Sequence, residues 1–249
     1  MKKLGIIGGI GWPSTLDYYR VVCEASHQYH RRQGHPEPLP TPEIAIESLN
    51  MSVTVNSRGD KTPGSWQAWD EYFKQALQRL EASGAQRVVI ASVTPHNRLA
   101  QLQKMTRLPI VSVFASVGKY CNEQGVSNLL LLGTLPTMQS AVFSRQLASF
   151  GVNVSVPQPG HHQKAVTALI DQLYRGETAG AADQLCDLVQ RVVPAQQLGE
   201  THVLLGCTEL STAFAQAKKA SRFSQSGIEF VNLAHIHASD AFTHCVYRE

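Results

Sequence analysis

The chain has 249 residues, 43% hydrophobic and 16% charged, enough apolar material to bury a substantial core in one large or two modest domains. Its 22 Lys and Arg against 19 Asp and Glu give a formal net charge of +3. The basic residues are scattered, so nothing calls for a nucleic-acid or membrane-surface partner, and the short run His30-Arg31-Arg32 reads as cations suited to a helix C-terminus. Five cysteines, at 23, 121, 186, 207 and 245, are an odd count with no C-x-x-C pair, which argues against both a disulfide framework and a structural zinc site, and free thiols are expected.

Leu4 to Ile7 is an apolar run that stops at Gly8-Gly9 and predicts the first strand; Met1-Lys2-Lys3 ahead of it is no signal segment and nothing spans a membrane, so a cytoplasmic protein is expected. Ser14 with Asp17 three positions on predicts a capped helix to about residue 31, ended by the proline-rich stretch Pro36 to Pro42. Glu43 to Ser48 is a second strand. The polar segment Asn50 to Gly64 after it is too long for a minimal turn and is a candidate substrate loop. Trp66, Trp69, Phe73, Leu77 and Leu80 share one helical face that packs in the core or at a subunit contact, and Gly84 stops that helix. A strand ending at Ser92, a short helical run, an extended piece Leu108 to Val111 and a helix from Ser112 to Glu123 complete the first rhythm. The rhythm then repeats: strand 129–132, helix Met138 to Phe150, strand 152–156, two helical runs between Lys164 and Val193, and strand 202–206. Ile228 to Val231 adds a strand and Ala234 to Val246 a helix. Strands alternating with amphipathic helices are the pattern of an α/β protein with mainly parallel sheets flanked by helices.

The two halves open and close alike. Leu4-Gly5-Ile6-Ile7-Gly8 matches Leu129-Leu130-Leu131-Leu132-Gly133, and Val88-Val89-Ile90-Ala91-Ser92-Val93-Thr94 matches Val203-Leu204-Leu205-Gly206-Cys207-Thr208. Such duplication predicts two pseudosymmetric lobes, residues 1–106 with 212–249 and residues 107–211. Ligands of open α/β sheets sit at the carboxyl ends of strands, so both tips are expected to meet in one cleft between the lobes. Two proton-handling groups either side of a carbon could take a proton from one face and return one to the other. Cys207, where a strand meets the start of a helix, suits that work because a modest field from helix N–H groups makes thiolate, and the same N–H groups bind a carboxylate.

Rival readings are weaker. Gly9-x-Gly11-x-x-Ser14 imitates a dinucleotide turn, but the acidic candidate near the end of the second strand, Glu47, lies far beyond the expected spacing. Neither His161-His162 nor His235-x-His237 has the i, i+4 spacing of a helical zinc site, so no cofactor and no metal are expected.

These motifs resemble the aspartate/glutamate racemase family, over nearly the whole chain. The carrying pieces are Gly8-Gly9-Ile10-Gly11, Ser92-Val93-Thr94-Pro95-His96 where the family usually has Cys-Asn-Thr-x-His, Gly133-Thr134 with Thr137, Gly206-Cys207-Thr208-Glu209-Leu210, and the closing Ile236-His237-Ala238-Ser239-Asp240-Ala241. The resemblance implies a cofactor-independent amino-acid racemase that exchanges the α-proton from opposite faces, with Cys207 as one catalytic group and Ser92 in the place of the other. A one-base decarboxylase or eliminase, or an amino-acid-binding homologue without turnover, are the alternatives. By position, the resemblance makes Gly9, Ile10, Thr94, Thr137, Thr208, Lys164 and, more loosely, Arg58 substrate-binding residues, with His96 in support. It implies a small amino acid or related carboxylate as ligand and a homodimer as the assembly.

Overall fold

The computed structural model describes residues 1–60 and 62–246. The chain divides into two compact units, residues 1–112 with the chain end from His237, and residues 113–236.

In the first unit, β1 (Leu4–Gly8) lies between β2 (Ile44–Ser48) and β3 (Arg87–Ile90), all parallel. Their burial follows their sequences. Leu-Gly-Ile-Ile-Gly of β1 and Arg-Val-Val-Ile of β3 are buried throughout, whereas the edge strand β2 is only partly covered and carries Glu47. The extended piece 108–111 adds a single parallel bridge, Val88 to Ile110. The helices are α1 (Trp12–Arg32), α2 (Met51–Asn56), α3 (Gln67–Ala82) and α4 (Leu99–Gln103). On α3, Trp69, Phe73, Leu77 and Leu80 are buried, with Trp69 stacked on Phe73 at 3.9 Å. Trp66 is instead half-buried at the N-cap, beneath the Arg98 guanidinium, which also pairs with Asp70.

Two local expectations are corrected. Ser14 does not cap α1: the N-cap is Gly11, with Pro13 in the first turn, and the Ser14 hydroxyl is drawn off to the Ala91 carbonyl at 2.8 Å. The segment from Asn50 is not all loop. Asn50 Oδ1 accepts from the Ser52 and Val53 amides, and this side-chain cap starts α2.

In the second unit, α5 (Val113–Gln124) leads to a sheet of β4 (Asn128–Leu132), β5 (Asn153–Ser155), β6 (His202–Leu205), β7 (Arg222–Gln225) and β8 (Ile228–Asn232), ordered β5-β4-β6-β8-β7. All pairs are parallel except the β7–β8 hairpin. β7 escapes the sequence reading because its turn, Ser226-Gly227 with both φ positive, is a two-residue hairpin hidden in a polar run. The single helix expected over 138–150 is two, α6 (Leu135–Gln139) and α7 (Val142–Ala148), because Ser140 is extended. Two more helices, α8 (His161–Tyr174) and α9 (Ala181–Val192), pack together. Their apolar faces join Phe214, Phe223 and Phe230 in this unit's core. Because β8 pairs with β6, residues 212–236 belong to this unit rather than to the first, and because Ile110 bridges to Val88, residues 107–112 belong to the first. α10 (Leu233–Val246) closes the described chain. Among the described residues no helix is long and apolar enough to cross a membrane.

Candidate active site

The three-strand order of the first sheet recurs within the five-stranded second, with β1 matching β4, β2 matching β5 and β3 matching β6. The hydrogen bonds that close each sheet at its carboxyl end fix the correspondence to the residue. The Ala91 amide donates to the Ile7 carbonyl at 2.8 Å, and the Gly206 amide donates to the Leu132 carbonyl at 2.7 Å. Ala91 is therefore the counterpart of Gly206, and Ser92, one residue on, is the counterpart of Cys207. Ser92 lies in the first unit and Cys207 in the second.

The rim of the first unit is built around Gly9. At φ +76, a Cβ on this residue would stand 2.1 Å from the Leu49 carbonyl oxygen, so only glycine lets the β1 and β2 exits approach this closely. The Gly9 amide donates to Thr15 Oγ1 at 2.8 Å. In the structure this amide is held by Thr15, and Gly9 shapes the loop. The Ile10 side chain is buried in the core with Ile7, Leu49 and Trp69. Ser92 is half-buried and follows the carbonyl held by Ser14. Thr94 opens a 3-10 turn, Thr94–Arg98, whose His96 is fully buried. Burial, then the neighbouring His237, and against them a hydrogen bond with the Ile90 backbone, leave the His96 imidazole titrating well below its ordinary value. It is neutral at pH 7 and clamps the strand end. His237 is set edge-on to it at 5.0 Å; its Nδ1 meets Tyr18 Oη at 2.9 Å and its Nε2 the Val111 carbonyl at 3.0 Å. Burial pushes His237 down to about 4. Arg58 is half-buried just beyond α2, on the segment after β2 rather than on the strand-end turns.

In the second unit, Gly133 and Thr134 leave β4, and the Thr134 hydroxyl meets that of the fully buried Thr137 on α6 at 3.0 Å. Thr134, half-buried above it, is a residue the sequence reading quotes but does not assign. Cys207 and Thr208 leave β6 into Thr208–Ala213, a 3-10 turn rather than the expected α-helix. A turn this short aligns few peptide dipoles, so the helix field invoked for the thiol is weak. Cys207 Sγ donates to Glu209 Oε2 at 3.0 Å, and Thr208 Oγ1 donates to the same oxygen at 3.0 Å. Glu209 is only 3% exposed. The sequence reading passed over it, although Cys-Thr-Glu at the exit of a buried strand is itself a signal, since a carboxylate so near a buried core demands hydrogen-bond donors. Lys164 is exposed in the first turn of α8, a helix that packs on both the Thr208–Ala213 turn and α6. The unit therefore brings Thr137, Lys164, Cys207 and Thr208 to one end of its sheet. Among the other cysteines, burial pushes Cys121 and Cys245 up to about 11 and Cys186 upward, while Cys23 is raised in a half-buried position. Among the described residues, no three His, Cys, Asp or Glu side chains are grouped to hold a metal ion.

Solved structures share this architecture. An aspartate racemase homologue from Pyrococcus horikoshii is 28% identical with a TM-score of 0.77, the match covering 99% of this chain and 100% of that one. Aspartate racemase from Picrophilus torridus is 16% identical (TM-score 0.73, covering 100% and 96%), and glutamate racemase from Campylobacter jejuni is 16% identical (TM-score 0.61, covering 97% and 83%). At those last identities the likeness is one of fold. The family model for Asp/Glu/hydantoin racemase matches residues 7–241. With that match spanning both units and both strand-end turns, the chain belongs to the Asp/Glu/hydantoin racemase family.

Proposed function

We propose that the protein is an amino-acid racemase working without pyridoxal phosphate, nicotinamide or metal, in which Cys207 and Ser92 handle the α-proton of one substrate from opposite faces. The observation that carries this reading is the register equivalence of Ser92 and Cys207, each one residue beyond the last sheet hydrogen bond of its unit. Two duplicated strand ends, each terminating in an S–H or O–H group, suit a reaction that needs one proton carrier per face. In this reading Thr94, Thr208 and Thr137, the last with Thr134 hydrogen-bonded to it, supply hydroxyls to the substrate, Lys164 and Arg58 supply cations for its carboxylates, and the backbone around Gly9 and Ile10 supplies amides. Aspartate and glutamate are the first substrates to try, following the similarity to racemases of those amino acids.

Ser92 favours a second reading. A hydroxyl stays protonated where a thiol ionises, and without an activating base it is a poor proton acceptor. One competent wall suffices for a decarboxylase or eliminase, which only needs to deliver or remove a proton on one side.

The test is incubation of the purified protein with single L- and D-amino acids in D2O, following α-deuterium and chirality together. Deuterium uptake with inversion supports racemisation. Uptake with retention moves the assignment to one-sided chemistry, and no uptake with any amino acid while a malonate or hydroxylated amino acid is turned over replaces the first reading by the second.

A further inference from the structure

We propose that Arg98 is a positioning residue of the candidate site: acting through Trp66, it holds the segment Ser57–Asp60, and Arg58 with it, in fixed relation to the turn that bears Ser92 and Thr94. The inference rests on the reading of Arg58 as a cation for a substrate carboxylate, and deepens it by naming what keeps that cation in place.

Residues 57–60 form neither strand nor helix, and a recognition group on such a segment is precise only if its surroundings order it. The contacts that do so are specific. Gly59 lies against the Trp66 ring so closely that a Cβ on it would stand 2.6 Å from the indole Cδ1 and Cγ and from Ser65 Oγ. The indole Nε1 donates to the Asp60 carbonyl at 2.9 Å, and the Asp60 amide donates to Ser65 Oγ at 3.0 Å, so the residue after Gly59 is tied at both of its backbone groups. Over the Trp66 ring stands the Arg98 guanidinium, 4.7 Å from its centroid, a cation on an aromatic face.

That guanidinium is itself held. Its Nε donates to Asp70 Oδ1 at 2.9 Å and its Nη2 to Oδ2, a two-point fork on the first turn of α3, the helix anchored in the core by Trp69 and Phe73. With the two side chains only 24% and 15% exposed, the pair is screened less than a surface one. Arg98 is also the last residue of the Thr94–Arg98 turn, so the contacts run from the strand end at Ser92, through guanidinium and indole, to the neighbour of Arg58, all within the first unit. Lysine would not serve equally, because an ammonium lacks the planar fork that grips both carboxylate oxygens while lying on a ring.

Tryptic scission of the Arg58–Gly59 bond in the intact protein, read by mass spectrometry, tests the clamp without substrate, since the bond is cut only when the segment opens. Losing the fork and the ring contact in Arg98→Gln is expected to speed scission about tenfold. Trp66→Phe keeps a ring beneath the cation but removes the Nε1 donor, and is expected to speed it about threefold. Arg79→Gln breaks the other ion pair of α3, to Glu47, and leaves scission unchanged. Circular dichroism establishes that each variant is folded. The second arm follows α-deuterium exchange with L-aspartate or L-glutamate, where Arg98→Gln is expected to raise KM about tenfold with kcat within about twofold. Arg58→Gln raises KM at least as far and the double variant no further, because Arg98 acts through Arg58. Arg98→Lys lies between wild type and Arg98→Gln in both arms. Scission of Arg98→Gln at the wild-type rate, an unchanged KM, or KM effects of the two arginines that simply add overturns the proposal. A wild type that exchanges neither amino acid defeats the functional reading and the site role with it, while the scission rates still decide whether Arg98 holds the segment.

Discussion

Replacing Gly9 by alanine attacks the rim on which the first half of the site is built, and its cost follows from three separate facts. A non-glycine residue at φ +76 costs about 1–2 kcal/mol for the left-handed backbone alone. The new Cβ would stand 2.1 Å from Leu49 O and 2.5 Å from Leu49 N, backbone atoms that cannot swing aside. Relief needs a shift of roughly 1 Å in the β2 exit to reach an ordinary carbon–oxygen approach. That shift breaks the Leu49 amide to Gly8 carbonyl bond, now 2.9 Å, at about 1 kcal/mol, and adds about 1–3 kcal/mol of strain. The expected loss is about 4 kcal/mol. Gly34→Ala is the matched control, since its φ is +74 but nothing lies within 4 Å of its Cβ, and it should lose about 1 kcal/mol. Guanidinium unfolding monitored by circular dichroism measures both, and thermal midpoints should drop roughly 2–4 °C per kcal/mol. If Gly9→Ala falls within 1 kcal/mol of the control, the close approach of the β1 and β2 exits is not a constraint and the steric reasoning fails.

Tyr18→Phe removes the hydroxyl that meets buried His237 Nδ1 and should cost about 1–3 kcal/mol in urea unfolding, the penalty of an unsatisfied buried polar group. His237 titrates at about 4 folded against 6.5 unfolded, so below 6.5 the unfolded chain binds the extra proton and stability falls with pH. That loss runs from about pH 6.5 to about pH 4 and reaches about 3 kcal/mol, with His96 adding in the same direction; the guanidinium midpoint of His237→Gln should vary less over that window than the wild type's. Ser92→Cys supplies the missing thiol and should raise α-deuterium exchange on the order of 10²-fold, while Cys207→Ala abolishes it; exchange unchanged by Ser92→Cys removes residue 92 from the machinery.

Much of the fold was legible because its signals are local. Seven of the strands announce themselves as short apolar runs bounded by glycine or polar residues, and the Trp69, Phe73, Leu77, Leu80 spacing marks the buried face of α3 before any neighbour is known. What was not legible depends on competition between distant groups. Ser14 carries the composition of a cap, yet the Ala91 carbonyl, 77 positions away, takes its hydroxyl. β7 is polar on its exposed side and shows as a strand only because β8 pairs with it.

The candidate site divides along the same line. Sequence alone determined that two strand ends match, that one bears a thiol and the other a hydroxyl, and that threonines flank both, because these are matters of residue type and order. Only the tertiary structure decided the partners. It engaged the Gly9 amide with Thr15, fixed the one-to-one register of Ser92 and Cys207 through sheet hydrogen bonds, and set the Glu209 carboxylate on the thiol. A motif can say which groups are available, but a buried proton belongs to whichever acceptor packing brings within hydrogen-bond distance and desolvates alongside it.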